Sequence, residues 1–244
     1  IEDFNGHTCW VNSFALEKAK ITQDTPDPVN GMIVRYPGSS VPTGWLKETA
    51  MDLVETIKHP YTLEDYKRAL LYYQEMQLKN GVTVSFEPVC AKGEDSMLRF
   101  RAYHELEQEG KLKMTLRAAY TIYPEDDTES ILNCIDEICK NANGTQFQLI
   151  AIKLFADGVV EGHTAYLRDD YADQPGYNGY GMFADDKLNN IVDMAMERGY
   201  IIHTHAIGDK AIDQTLDAYQ AAEKKWGLVN ARNAITHLQV LHKD

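Results

Sequence analysis

Tyr200-Ile201-Ile202-His203-Thr204-His205-Ala206-Ile207-Gly208-Asp209 is the stretch on which the fold turns. A β-branched apolar run ends in two histidines, a glycine and an acid, and a helical pattern begins at once at Lys210. That is a strand whose C-terminal end carries metal-type ligands. Two further strand ends resemble it: Lys153 within Ile150-Ala151-Ile152-Lys153-Leu154-Phe155-Ala156-Asp157-Gly158, and His237 closing Ala234-Ile235-Thr236-His237. In an α/β barrel the C-terminal ends of the strands converge on one face, so Lys153, His205 and His237 are expected to meet in one mouth.

Outward from that stretch the chain alternates between two periodicities. Residues 82–87, 114–121, 147–155, 200–205 and 234–238 read as strands. Between them, Thr62-Leu63-Glu64-Asp65 has the form of a capping box opening a helix through Lys79, with Gly81 placed as the left-handed residue that ends it. Further helices are expected over 95–108, from Thr128 with Ile131, Ile135 and Ile138 on one face, over 186–198, and over 210–225. Strands alternating with helices imply right-handed parallel βαβ units. No GxGxxG or P-loop follows a strand, and ligand-type residues sit at several strand ends rather than at one switch point. The fold class expected is therefore α/β, of the (β/α)8 TIM-barrel type.

Two regions break the rhythm. Residues 26–46, rich in Pro and Gly, surround short extended pieces at Met32-Ile33-Val34-Arg35 and Trp45-Leu46 and read as a small β-hairpin elaboration within an N-terminal region of residues 1–60. Residues 156–184 form a long connection holding Tyr166, Tyr171, Tyr177, Tyr180 and Phe183. Connections of this length without regular structure are usually functional, and so many aromatics argue for order, so a lid over the mouth of a 61–244 barrel domain is expected.

Thirty-seven acids against 24 Lys and Arg give a net charge of −13 with no basic stripe. Such a surface repels phosphate backbones and anionic lipid, which argues against nucleic-acid and membrane partners. No apolar run is long enough to span a bilayer, and no secretory leader is visible. Cys9, Cys90, Cys134 and Cys139 lack CxxC spacing and read as thiols of a reducing, cytoplasmic compartment. The chain opens at Ile1 and closes at Asp244 just after a strand-like segment, as a piece of a longer protein would.

His203 and His205, two apart on a strand, face the same way. Imidazole suits Zn²⁺, Fe²⁺ or Ni²⁺, and an ion there would bring a water to near pKa ~7. His205 and His237 are read as ligands, and His203 as orienting its neighbour or touching substrate. A lysine ending an apolar strand is costly to bury as an ammonium. Lys153 then either pairs with Asp157 or Glu161, or reacts with CO2 to give a carbamate, an anionic ligand able to bridge two metals. His59, His104 and His242 have no such context and read as surface residues.

Lys153 through Thr164 and His203 through Asp209 resemble the YtcJ-like branch of the amidohydrolase superfamily (amidohydrolase family 3). So do Gly6-His7-Thr8-Cys9-Trp10-Val11-Asn12-Ser13-Phe14-Ala15-Leu16 and the stretch from Gly31 to Pro42-Thr43-Gly44-Trp45-Leu46-Lys47-Glu48. The resemblance implies a metal-dependent hydrolase of amide or other non-peptide C–N bonds in small molecules, N-substituted formamides being one substrate type. It implies one or two divalent ions, zinc foremost, held by Lys153, His205 and His237 on the fourth, fifth and sixth barrel strands. His7, Trp10, His163 and His203 would border the substrate.

The pattern also calls for a His-x-His pair on the first barrel strand and an Asp on the eighth, and neither is present. The chain would then be an incomplete barrel, about strands 2–6 with their helices, whose catalytic Asp lies outside it. It would be inert alone and inclined to homo-oligomerise through open strand edges. Two alternatives stand beside this: a non-catalytic regulatory or binding protein on the same scaffold, and a barrel lyase or isomerase using Lys153 as a Schiff-base amine.

Overall fold

The computed structural model describes residues 1–4, 6–58, 60–90, 94–227 and 232–242. The chain divides into two compact units, Ile1–Pro60 with Asp157–Met182, and Tyr61–Ala156 with Phe183–Asp244. His59 and the side chain of Cys90 lie outside the described residues, while Cys9, Cys134 and Cys139 are free thiols.

The first unit is built on three antiparallel strands in the order β1-β3-β2: β1 (Thr8–Trp10), β2 (Gly31–Arg35) and β3 (Pro42–Glu48), with helix α1 (Ser13–Lys18) between β1 and β2. Alternation along the strands turns Cys9, Ile33 and Leu46 to one face. There they pack with Ile21, Ala50 and Val54, the last two from the 3-10 segment Thr49–Ile57. The hairpin expected within 26–46 is β2–β3. Residues 8–10 form β1, in which Cys9 pairs with Leu46 and Trp10 with Trp45; a three-residue strand has too little pattern to announce itself in the sequence. Residues 157–182 carry a short 3-10 turn at Val160–Gly162 and are otherwise irregular.

The second unit is a run of βα units. Its elements are α2 (Leu63–Lys79), β4 (Val84–Cys90), α3 (Glu94–Gln108), β5 (Thr115–Thr121), α4 (Thr128–Ala142), β6 (Phe147–Phe155), α5 (Asp185–Glu197), β7 (Ile201–Ala206), α6 (Asp209–Trp226) and β8 (Ala234–His237). The five strands pair in parallel in chain order, β4-β5-β6-β7-β8. Three strand steps separate β4 from β7, about 14 Å in a flat sheet. Yet the Phe86 ring lies 5.3 Å from that of His203. The sheet is therefore curled into a half-barrel, with Phe86, Lys153 and His203 on its concave side. Its convex side buries Leu149, Ile152, Leu154, Ile202 and Thr204 beneath the helices, against Phe100 and Leu106 of α3, Leu132, Ile135 and Ile138 of α4, and Leu188, Ile191 and Val192 of α5. Each such Leu or Ile contributes about 1.5–3 kcal/mol when fully buried.

Local chemistry sets the boundaries. Thr62 and Asp65 exchange side-chain and backbone hydrogen bonds in a complete capping box. At the other end of α2, Gly81 adopts φ +77, its N–H donates to the Leu78 carbonyl and the Val82 N–H to that of Gln77, a Schellman closure. The Val82 backbone is thus spent on the helix, which is why β4 begins at Val84 rather than at 82. The same closure at Gly199 and Tyr200 delays β7 to Ile201. On α4 the buried stripe runs Thr128, Leu132, Ile135 and Ile138, so Leu132 takes the place expected of Ile131. No described helix is long and apolar enough to cross a membrane.

Candidate functional site

Strand alternation brings Lys153 and Phe155 to the concave face of β6, and the register aligns them with His203 and His205 on β7. The Lys153 Nζ lies 3.5 Å from His203 Nδ1 and 4.7 Å from the centre of the Phe155 ring. Phe155 in turn packs against the His205 ring at 5.4 Å. Lys153 and His205 are both 2% exposed.

His237 arrives by a different route. Its register partner is Ala206, so strict alternation would send its side chain to the convex side. A backbone φ of +79 breaks that alternation and brings its ring to 4.6 Å from His205, edge on. The donors thus come as two neighbouring pairs, Lys153 with His203 and His205 with His237.

Burial pulls the Lys153 amine down to about 8, and no carboxylate among the described residues lies within ion-pairing distance of it. Burial, helped by the positive charge of Lys153 and by His237, lowers His203 to about 4. Between about pH 6.5 and 4 the unfolded chain then binds a proton at this position that the folded chain refuses, so folded stability falls as pH drops through that window. In metal-free protein, His203→Gln should flatten this acid limb when melting temperature is followed from pH 7 to pH 4. Parallel curves for the variant and the parent would refute the assignment.

Among the described residues no three His, Cys, Asp or Glu side chains close on one ion. The chemistry of a metal site here would therefore depend on the lysine, since a neutral Lys153 amine that added CO2 would become an anionic oxygen donor beside imidazoles.

His7, Trp10 and His163 belong to the first unit, each with its own partner. His7 Nδ1 donates to Glu48 Oε2 at 2.9 Å, Trp10 stacks parallel to Trp45 at 5.5 Å with half its surface exposed, and His163 Nε2 bonds Asp173 at 2.9 Å. His104, expected on the surface, is half-buried with Nδ1 3.3 Å from the Ala142 carbonyl, whereas His242 is exposed. Sequence reasoning passed over Phe155, Phe86 and Glu48. Phe155 was findable, since it lies two residues beyond Lys153 on one strand. Phe86 was not, because only the curl of the sheet brings it to His203.

The sequence profile of the amidohydrolase family matches residues 1–244. YtcJ of Bacillus subtilis (strain 168), named as an amidohydrolase, is 29% identical over 238 residues, 98% of this chain and 43% of its own. The N-substituted formamide deformylase of Arthrobacter pascens is 28% identical over 250 residues, covering 98% and 43%. The crystal structure of a metal-dependent hydrolase from Pyrococcus horikoshii OT3 superposes with a TM-score of 0.68 at 26% identity, over 98% of this chain and 44% of that one. The chain spans less than half the length of each of these relatives.

Proposed function

We propose that this chain, which belongs to the amidohydrolase family, is the central part of a metal-dependent hydrolase cleaving amide or other non-peptide C–N bonds of small molecules, the bond type named in the Arthrobacter formamide deformylase. The single observation that carries the reading is the buried Lys153 amine at the end of a parallel strand, with no carboxylate partner among the described residues and His203 3.5 Å away. Lys153, His205 and His237 would hold a divalent ion, zinc in our assignment. Such an ion supplies Lewis-acid polarisation of a carbonyl and acidifies water.

The chain's own residues prepare for this. An amine with its pKa lowered to about 8 is neutral in a larger fraction of molecules near neutrality than an ordinary lysine. The neutral amine is the form that adds CO2, its nitrogen bonding the carbon and releasing one proton to leave an anionic carbamate. His203, uncharged at neutral pH, is assigned to orienting Lys153 or contacting substrate. His7, Trp10 and His163 are assigned as substrate contacts of the first unit. In this reading the half-barrel corresponds to strands 2–6 of a (β/α)8 barrel, and the general base that activates water lies outside the chain.

The test is metal content and hydrolysis of N-formyl and N-acyl amides, for a longer protein containing this sequence and for the chain itself. The longer protein should turn over, lose activity to a chelator and regain it with Zn²⁺. The chain alone should be slower by ~10³-fold or more, as when positioned acid–base and electrostatic groups are both missing. Chelator-insensitive turnover, or equal rates for the two proteins, would overturn the proposal.

A further inference from the structure

Glu48, the last residue of β3, has a backbone conformation that belongs to glycine: φ +48 and ψ −130. A residue with a Cβ is strained there, and such strain persists where the surroundings hold it and the side chain is needed. The Glu48 side chain is 7% exposed, and its two oxygens face two different segments of the first unit. His7 Nδ1 donates to Oε2 at 2.9 Å, and the Glu48 N–H donates to the His7 carbonyl at 3.0 Å. The Thr164 hydroxyl donates to Oε1 at 2.8 Å, from a position 116 residues away in the chain.

The far side of this junction is built to receive the carboxylate. The Val159 N–H donates to Thr164 Oγ1 at 2.9 Å, and the hydroxyl proton has Glu48 Oε1 at 2.8 Å as its near acceptor and the Val159 carbonyl at 3.3 Å as its far one. The Gly158 and Thr164 N–H groups close the turn on the Thr164 and Val159 carbonyls, each at 3.0 Å. A Cβ on Gly158 would fall 2.1 Å from Thr164 Oγ1 and 2.7 Å from Glu48 Oε1. The glycine is therefore the space into which the carboxylate and hydroxyl fit. A second tie, from the Tyr180 hydroxyl to the Asn30 carbonyl at 3.1 Å, secures the other end of the same segment.

We propose that Glu48 is a latch: its buried carboxylate, bridging His7 and Thr164, is what makes residues 157–182 fold as one unit with residues 1–60. This segment is the chain that leaves β6 just beyond Lys153 and Phe155 and leads to α5. The latch thus orders the connection between β6 and α5. It stands independently of the metal reading.

The strain makes the test sharp. Glu48→Gly relieves the backbone and removes the carboxylate, so a purely conformational role and a latch predict opposite results. Hydrogen exchange of this chain, followed by mass spectrometry, should show protection of residues 159–180 falling about tenfold or more in Glu48→Gly, while peptides of α2, α4 and α6 stay at parent levels. Thr164→Val should do the same, and Thr164→Ser, which keeps the hydroxyl, should stay near the parent. Gly158→Ala should loosen the segment from the opposite side. Parent-like protection in Glu48→Gly, identical behaviour of Thr164→Val and Thr164→Ser, or an equal loss of protection in both units would each overturn the latch.

Discussion

Lys153→Met should abolish hydrolysis by a longer protein containing this sequence, by ~10³-fold or more, while making the isolated chain more stable. The two signs follow from one fact. Lys153 is 2% exposed with no carboxylate partner among the described residues, so folding strips water from an ammonium and returns only the Phe155 ring face and the edge of His203. Methionine has similar length and no charge to desolvate, and replacing such a group should recover about 1–3 kcal/mol. The advantage should depend on pH. With the folded value near 8 and the unfolded value near 10.5, the unfolded chain binds more protons between them. The parent therefore gains stability as pH rises from about 8 to 10.5 and closes the gap on the variant. Urea unfolding of metal-free protein at pH 7 and pH 10 measures this. A variant less stable than the parent at pH 7 would mean that Lys153 has a stabilising partner.

Glu107→Ala should cost about 2–4 kcal/mol, the largest stability loss expected from a single residue outside the apolar core. Its carboxylate, at the end of α3, accepts the backbone N–H groups of Thr145, Gln146 and Phe147 at 2.7, 3.0 and 2.9 Å, and the Thr145 hydroxyl at 3.0 Å. Those N–H groups open β6, so removing the acceptor strands the N–H of buried Phe147 and of half-buried Gln146, while the exposed Thr145 N–H turns to water. Burial alone would raise the Glu107 carboxyl, but the N–H groups of Gln146, Phe147 and Thr145 outweigh it and hold the group below its ordinary value. Stability from this residue is thus complete above the unfolded value near 4.5 and is lost as pH falls through the lower folded value. An unfolding free energy from urea titration lowered by less than about 1 kcal/mol in the variant would show that water replaces the carboxylate freely.

The fold was legible wherever its cause is local. A capping box at Thr62 and Asp65, a left-handed glycine at 81, and apolar spacing of 3.6 or 2 are properties of residues close together in the chain, and the structure keeps them, save that Leu132 replaces Ile131 on the buried stripe of α4. The same period of 2 places His203 and His205 on one face before any coordinates are known. The small errors have local causes as well: β4 and β7 start late because the residues before them close the preceding helices.

What the sequence determined by itself is the order of βα units, the two-residue spacing that turns Lys153 with Phe155 and His203 with His205 to common faces, and the family pattern around them. What only the tertiary structure decided is which of those groups touch. Lys153 meets His203 because β6 and β7 pair in one register and not another, although the two residues are 50 positions apart. His237 reaches His205 only because its backbone turns to φ +79 against the alternation of its strand. Residues 157–182 group with residues 1–60 in one compact unit, where Thr164 donates to Glu48 across 116 positions of the chain. Contacts of that range carry no periodicity along the chain; they arise when distant segments each satisfy a polar group the other cannot leave buried alone.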